Sequence, residues 1–283
     1  NAELPTKKPP RLCVIPNFKP TSNQLMSLSK YSPSTEQKHI GKRCHDVMMR
    51  DGAATNSMKT KQGKTRTVLE ATASDQHTFV VYIGRNAALV RQHAPVIGAF
   101  NKAPWTMAKD WKQTDKMLAD QENNRVCIAV TPTMFAEFCR QAHSVMQHRQ
   151  DATKHPEPTF PKCGSVTTML DALTKHGWNL CFVYDEPQNH YADKRLASKL
   201  PMFMESFHKL MQCYEGVDLL QLALTATPRY DEANAPKKEK ERAKQFFGGE
   251  LPQTVAPTEA ESALLNFNNC PSVPKEWTKE LLS

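Results

Sequence analysis

Three consecutive residues, Gly63, Lys64 and Thr65, stand between a short strand and an apolar helical stretch, which is a place where chains grip phosphate. Backbone N–H groups at a helix start favour an anion, a lysine reaches terminal phosphates, and a threonine hydroxyl can take Mg²⁺. The upstream residues Met58-Lys59-Thr60-Lys61-Gln62 put methionine where a strict phosphate loop opens with glycine, so the trio alone is half a motif.

A second chemical pair, Asp185 and Glu186, closes the apolar run Leu180-Cys181-Phe182-Val183-Tyr184. A carboxylate at the C-terminal end of a buried parallel strand is placed to ligate a metal-phosphate, and an adjacent acid can orient or deprotonate an attacking water. Taken alone, the pair reads more simply as an acidic strand end facing solvent.

The elements that must hold these groups follow from periodicity. Ser34-Thr35-Glu36-Gln37 is a capping box that opens an amphipathic helix to about Arg50, with Gly52 as its C-terminal cap. Strands are expected over 78–83, 125–130, 179–184 and 217–224, and helices near 64–75, 87–99, 132–149, 165–176 and 193–213. Alternation of this kind predicts an α/β fold, a mainly parallel sheet with helices on both faces. Residues 101–124, with Trp105 and Trp111, read as an excursion, and the proline-bearing 151–164 as a surface loop.

Taken in order, these pieces resemble the first RecA-like P-loop domain of superfamily 2 helicases and translocases. Gln37 resembles the glutamine that reads adenine, and the stretch from Met58 to Thr65 resembles motif I, with Lys59 and Lys61 where the family has proline and glycine. Val80 to Gln92 resembles motif Ia, and Val126 to Thr133 the later strand that ends in Thr-Pro. Asp185-Glu186-Pro187-Gln188 resembles motif II, although glutamine replaces the usual histidine or aspartate and puts coupling to motif III in doubt. Leu222-Ala223-Leu224-Thr225-Ala226-Thr227-Pro228 resembles motif III closely.

The resemblance implies ATP and Mg²⁺ as cofactors. Gln37, Gly63, Lys64, Thr65 and Arg66 would bind the nucleotide, Thr65 and Asp185 the metal, and Glu186 with Lys64 would catalyse hydrolysis. Thr225 and Thr227 would couple hydrolysis to nucleic acid, whose backbone Arg85, Asn86, Thr131 and Pro132 would touch. Arg85 reads equally as a surface ion-pair partner. The tryptophans of the excursion would stack on bases or a partner, or pack on the core.

Composition agrees with such a partner: 37 Lys and Arg against 29 Asp and Glu give a net charge of +8. Eight cysteines form no CxxC pair, and several sit in apolar runs, as small hydrophobes do in a reducing intracellular compartment. Neither cysteines nor histidines suggest a structural metal. No apolar run is long enough for a membrane helix, and the mean hydropathy is −0.59.

The expected organisation is an extended tail over 1–30, the RecA-like domain over 31–230, and a charged C-terminal extension over 231–283 in which Pro236 to Arg242 form a solvated helix face. A helicase closes its site with an arginine from a second RecA-like domain. No such domain is legible here, so the missing half would come from elsewhere in a longer protein or from a partner subunit. The alternative is a helicase-derived, non-enzymatic scaffold in an RNP or viral assembly.

Overall fold

Six strands lie parallel in one sheet, in the order β3-β2-β4-β5-β1-β6. They are β1 (Ala53–Asn56), β2 (Thr78–Ile83), β3 (Arg125–Val130), β4 (Asn179–Asp185), β5 (Leu219–Leu224) and β6 (Gln253–Val255). The computed structural model describes residues 33–72, 77–86, 88–90, 118–119, 125–152, 164–192, 199–228, 230 and 235–268. The tail, most of the excursion with Trp105 and Trp111, and most of the helix expected over 87–99 fall outside them.

Strand side chains alternate between two apolar layers, as a sheet covered on both faces requires. Phe79, Val81 and Ile83 of β2 share one layer with Leu180, Phe182 and Tyr184 of β4. Val80 and Tyr82 share the other with Cys181 and Val183. Each large apolar side chain so buried contributes about 1.5–3 kcal/mol.

The first layer is covered by α3 (Pro132–Ala152), α4 (Gly164–His176), α6 (Leu200–Met211) and α7 (Lys237–Phe247). The second is covered by α1 (Thr35–Asp51), the short α2 (Val68–Ala71) and α8 (Glu259–Asn268). A further short helix, α5 (Gln188–Ala192), follows β4.

The capping box of α1 forms as expected, with the Ser34 and Gln37 side chains each bonding the other residue's backbone N–H, and Gly52 ends the helix at φ 76°. The helix expected over 64–75 begins instead as a 3₁₀ turn over Lys64–Thr67 before α2. More consequentially, the fold runs on past residue 230. Strand β6 pairs with β1, and α7 turns a charged face outward while burying Ala243, Phe246 and Phe247. This segment is part of the sheet and its cover, not an extension beside them.

No helix among the described residues is long and apolar enough to cross a membrane. Cys44, Cys127, Cys139 and Cys181 are buried, and Cys213 is exposed. Cys139 and His143, at helical spacing, do not face each other, since His143 turns to Ser206 and Cys139 to Met204.

Candidate functional site

Register brings the chemistry to one edge. Asn56 of β1 and Asp185 of β4 both pair with Leu224 of β5, so three strands end level and residues 57, 225 and 186 leave the sheet together. The C-terminal edge of a parallel sheet is where such folds bind ligands.

The loop after β1 is held by buried polar side chains. Asn56 Oδ1 accepts from the Met58 N–H at 3.0 Å, and its Nδ2 donates to Thr67 Oγ1 at 2.7 Å. Thr67 in turn donates to the Lys64 carbonyl at 2.7 Å. Gln62, 1% exposed, accepts from the Lys59 N–H at 2.8 Å. Its Nε2 donates to Ser262 Oγ at 3.1 Å and Asn266 Oδ1 at 3.0 Å, both on α8.

Two residues of the loop are left-handed, Lys61 at φ 69° and Gly63 at φ 86°. Glycine is required at 63 on a second ground, because a Cβ there would lie 2.3 Å from Gln37 Nε2. Gln37 is 2% exposed, with Oε1 accepting from the Ser34 N–H at 2.9 Å and Nε2 donating to the Gln62 carbonyl at 2.8 Å. Arg66 follows in the 3₁₀ turn, its N–H bonding the Gly63 carbonyl at 2.9 Å.

Lys64 turns its amine toward the acidic pair. Nζ donates to the Met58 carbonyl at 3.2 Å and stands 3.8 Å from Glu186 Oε1. Burial pushes the amine's pKa down, while Glu186 and then Asp185 work in the opposite direction.

Thr65 and Asp185 meet at Tyr82. Its side chain is fully buried, and its hydroxyl lies within reach of the Thr65 and Asp185 side chains. Burial first, and then the neighbouring Asp185 charge, raise the phenol's pKa well above its ordinary value, so Tyr82 is a neutral bridge.

Glu186 sits at φ 53°, an uncommon conformation for a residue other than glycine. Its N–H bonds the Leu224 carbonyl at 2.8 Å. Its Oε2 accepts from Thr225 Oγ1 at 2.7 Å and from Gln188 Nε2 at 2.6 Å. Thr225 Oγ1 also accepts from the Thr227 N–H at 3.2 Å. Glutamine at 188 thus does not separate the acidic pair from Thr225 and Thr227, because the connection runs directly through Glu186.

The remaining candidates lie across β4. Ile83 pairs with Val130, so Arg85 and Asn86 leave the sheet beside Thr131 and Pro132 at the same edge. Arg85 is exposed; Asn86 Oδ1 accepts from the Leu89 N–H at 2.9 Å and Thr131 Oγ1 from the Met134 N–H at 3.3 Å. Two of the four, Asn86 and Thr131, therefore also serve as local caps.

Asn56, Gln62 and Tyr82 escaped the motif reading. Tyr82 had no signal of its own, since what sets it beside the end of β4 is the register of the two strands. Asn56 and Gln62 had none either, because their partners Thr67, Ser262 and Asn266 are fixed only by folding.

Comparison with protein-family models gives no match for this chain, and comparison with curated proteins gives none either. What the architecture defines is an α/β domain with a six-stranded parallel sheet.

Proposed function

We propose that this chain is the ATP-binding domain of a nucleic-acid-dependent ATPase, a helicase or translocase, whose site is completed by a second RecA-like domain or a partner subunit. The carrying observation is the convergence of Lys64 on Glu186 at 3.8 Å, beside Thr65 and Asp185 joined through Tyr82. Five groups from three distant segments meet where only folding could bring them.

In this reading Lys64 holds the terminal phosphate of ATP as a short-range cation in a half-buried setting, where charge is weakly screened. Glu186 orients the attacking water and takes its proton, its carboxylate held by Thr225 and Gln188. A hydroxyl and a carboxylate, Thr65 and Asp185, are the hard oxygen donors that Mg²⁺ prefers, and the ion would neutralise charge on the phosphates. Arg85 and Thr131 leave the sheet at the same edge, and this, with the +8 net charge, supports a nucleic-acid backbone as the partner.

The test is Mg-ATP binding and hydrolysis, with and without single-stranded DNA or RNA, for the wild-type chain, Lys64→Ala and Glu186→Gln. Lys64→Ala is expected to weaken binding about ten- to a hundredfold, and Glu186→Gln to bind while losing turnover. Absence of binding by the wild-type chain would overturn the proposal. Binding without turnover in every condition, a second RecA-like domain included, favours the scaffold with nucleotide as a structural ligand.

A further inference from the structure

We infer that Gln37 and Gln62 form a clasp that sets the shape of the phosphate-binding loop, so that Gln37 serves nucleotide binding by positioning that loop and not by reading the base. The inference rests on the proposed function and departs from the role that resemblance gives Gln37.

A glutamine that reads a base must offer it both halves of its amide, one accepting and one donating. Both halves of Gln37 are turned inward. The oxygen closes the first turn of α1 through Ser34, and the nitrogen binds the Gln62 carbonyl at 2.8 Å. What hydrogen-bonding capacity remains is shut from solvent at 2% exposure. The amide also lies against the loop at Gly63, where a Cβ would come within 2.3 Å of it.

Gln62 carries the contact onward. Its carbonyl serves Gln37, its Oε1 the Lys59 N–H, and its Nε2 both Ser262 and Asn266. Helix α8 is fastened to α1 in turn by an Arg43–Glu261 ion pair at 2.6 Å. The result is a closed circuit from α1 through the loop to α8 and back to α1.

This circuit holds Lys61 and Gly63 in left-handed conformations. Without it, nucleotide binding would have to order the loop as well as fill it, and affinity would fall by that cost. Because the cost belongs to the loop, it is the same whatever base the ligand carries, and the same for a ligand with no base.

The experiment is calorimetric titration of the full chain with Mg-ATP, Mg-GTP and Mg-tripolyphosphate. The proteins are wild type, Gln37→Ala, and a Ser262→Ala, Asn266→Ala double variant that opens the circuit from the far side. Each variant is expected to weaken all three ligands by a similar factor, about tenfold, as loss of one or two buried hydrogen bonds implies. A pair that only supports the fold would lower thermal stability and leave the affinity of the folded protein unchanged, which would overturn the clasp. So would a Gln37→Ala loss at least fivefold larger for ATP than for tripolyphosphate, the signature of base reading. Should Gln37→Ala not fold, the double variant decides by the same criteria. A wild-type chain that binds none of the three overturns the nucleotide reading itself, and the clasp with it.

Discussion

Thr225 donates its hydroxyl to Glu186 Oε2 at 2.7 Å, across two strand ends far apart in the chain. The bond fixes the rotamer of a carboxylate whose backbone is already in an uncommon conformation at φ 53°. It also ties the proposed water-orienting acid to the segment that continues to Thr227.

Thr225→Val keeps the shape of this fully buried side chain and removes the donor. A hydrogen bond to a charged group is worth about 1.5–3 kcal/mol. The expected outcome is a fall in kcat of about ten- to a hundredfold with KM for ATP within a few-fold. Steady-state kinetics check it; an unchanged kcat would remove Thr225 from the catalytic arrangement.

Lys61 provides a separate test of the loop. It is exposed and left-handed at φ 69°, a conformation that costs a side-chain-bearing residue about 1–2 kcal/mol. Glycine there would lose about 0.5–1 kcal/mol through its freer unfolded chain, so the strain relief wins by a small margin. Lys61→Gly should raise stability by about 0.5–1 kcal/mol in urea unfolding. A lower denaturation midpoint would show that the lysine side chain has a stabilising contact that outweighs its backbone.

Much of this arrangement was legible in the residues. Strands β2 to β4 and most of β5 announce themselves as apolar runs, and the box at Ser34 and Gln37 announces α1. The short β6 did not, because of Gln253, Thr254 and Val255 only Val255 is buried, and its strand character comes from pairing with β1. Helix α7 was hidden by its own charges, since the run Lys237 to Arg242 precedes the three residues that anchor it. The Lys64, Thr65, Asp185 and Glu186 set could be read from motif order. The Tyr82 bridge and the Gln62 contacts could not, because side-chain partners across strands and helices are fixed by register and packing, not by spacing along the chain.

Phe246 tests whether the C-terminal elements belong to the domain. Its ring is fully buried, 4.9 Å from the centroid of Tyr184 on β4 and 5.1 Å from that of Phe247. Truncating a buried phenylalanine to alanine costs about 3–5 kcal/mol, from lost transfer energy and the cavity left behind. Phe246→Ala should lower Tm by roughly 10 °C, at about 2–4 °C per kcal/mol for a domain of this size. A shift under about 2 °C would mean that α7 is dispensable to the core.

His208 makes stability depend on pH. Its Nε2 faces the Phe246 carbonyl at 3.3 Å, and a Cβ at Gly248 would come within 2.9 Å of its ring. Burial holds the imidazole's pKa below its ordinary 6.5, against a smaller opposing effect of the Phe246 carbonyl. His190, buried beside the Asp185 backbone, is pushed down to about 4 and acts in the same direction. As pH falls below 6.5 the unfolded chain takes up these protons first, so it binds more of them than the folded chain does. Stability is therefore full above pH 6.5 and declines as pH falls through the window down to the folded values. His208→Gln can keep an N–H toward the Phe246 carbonyl without a titrating group. Urea unfolding from pH 7.5 to pH 5 should show a shallower decline for the variant than for the wild type. Parallel declines would mean that His208 is solvated in the folded protein and that the pH dependence comes from His190 or other groups.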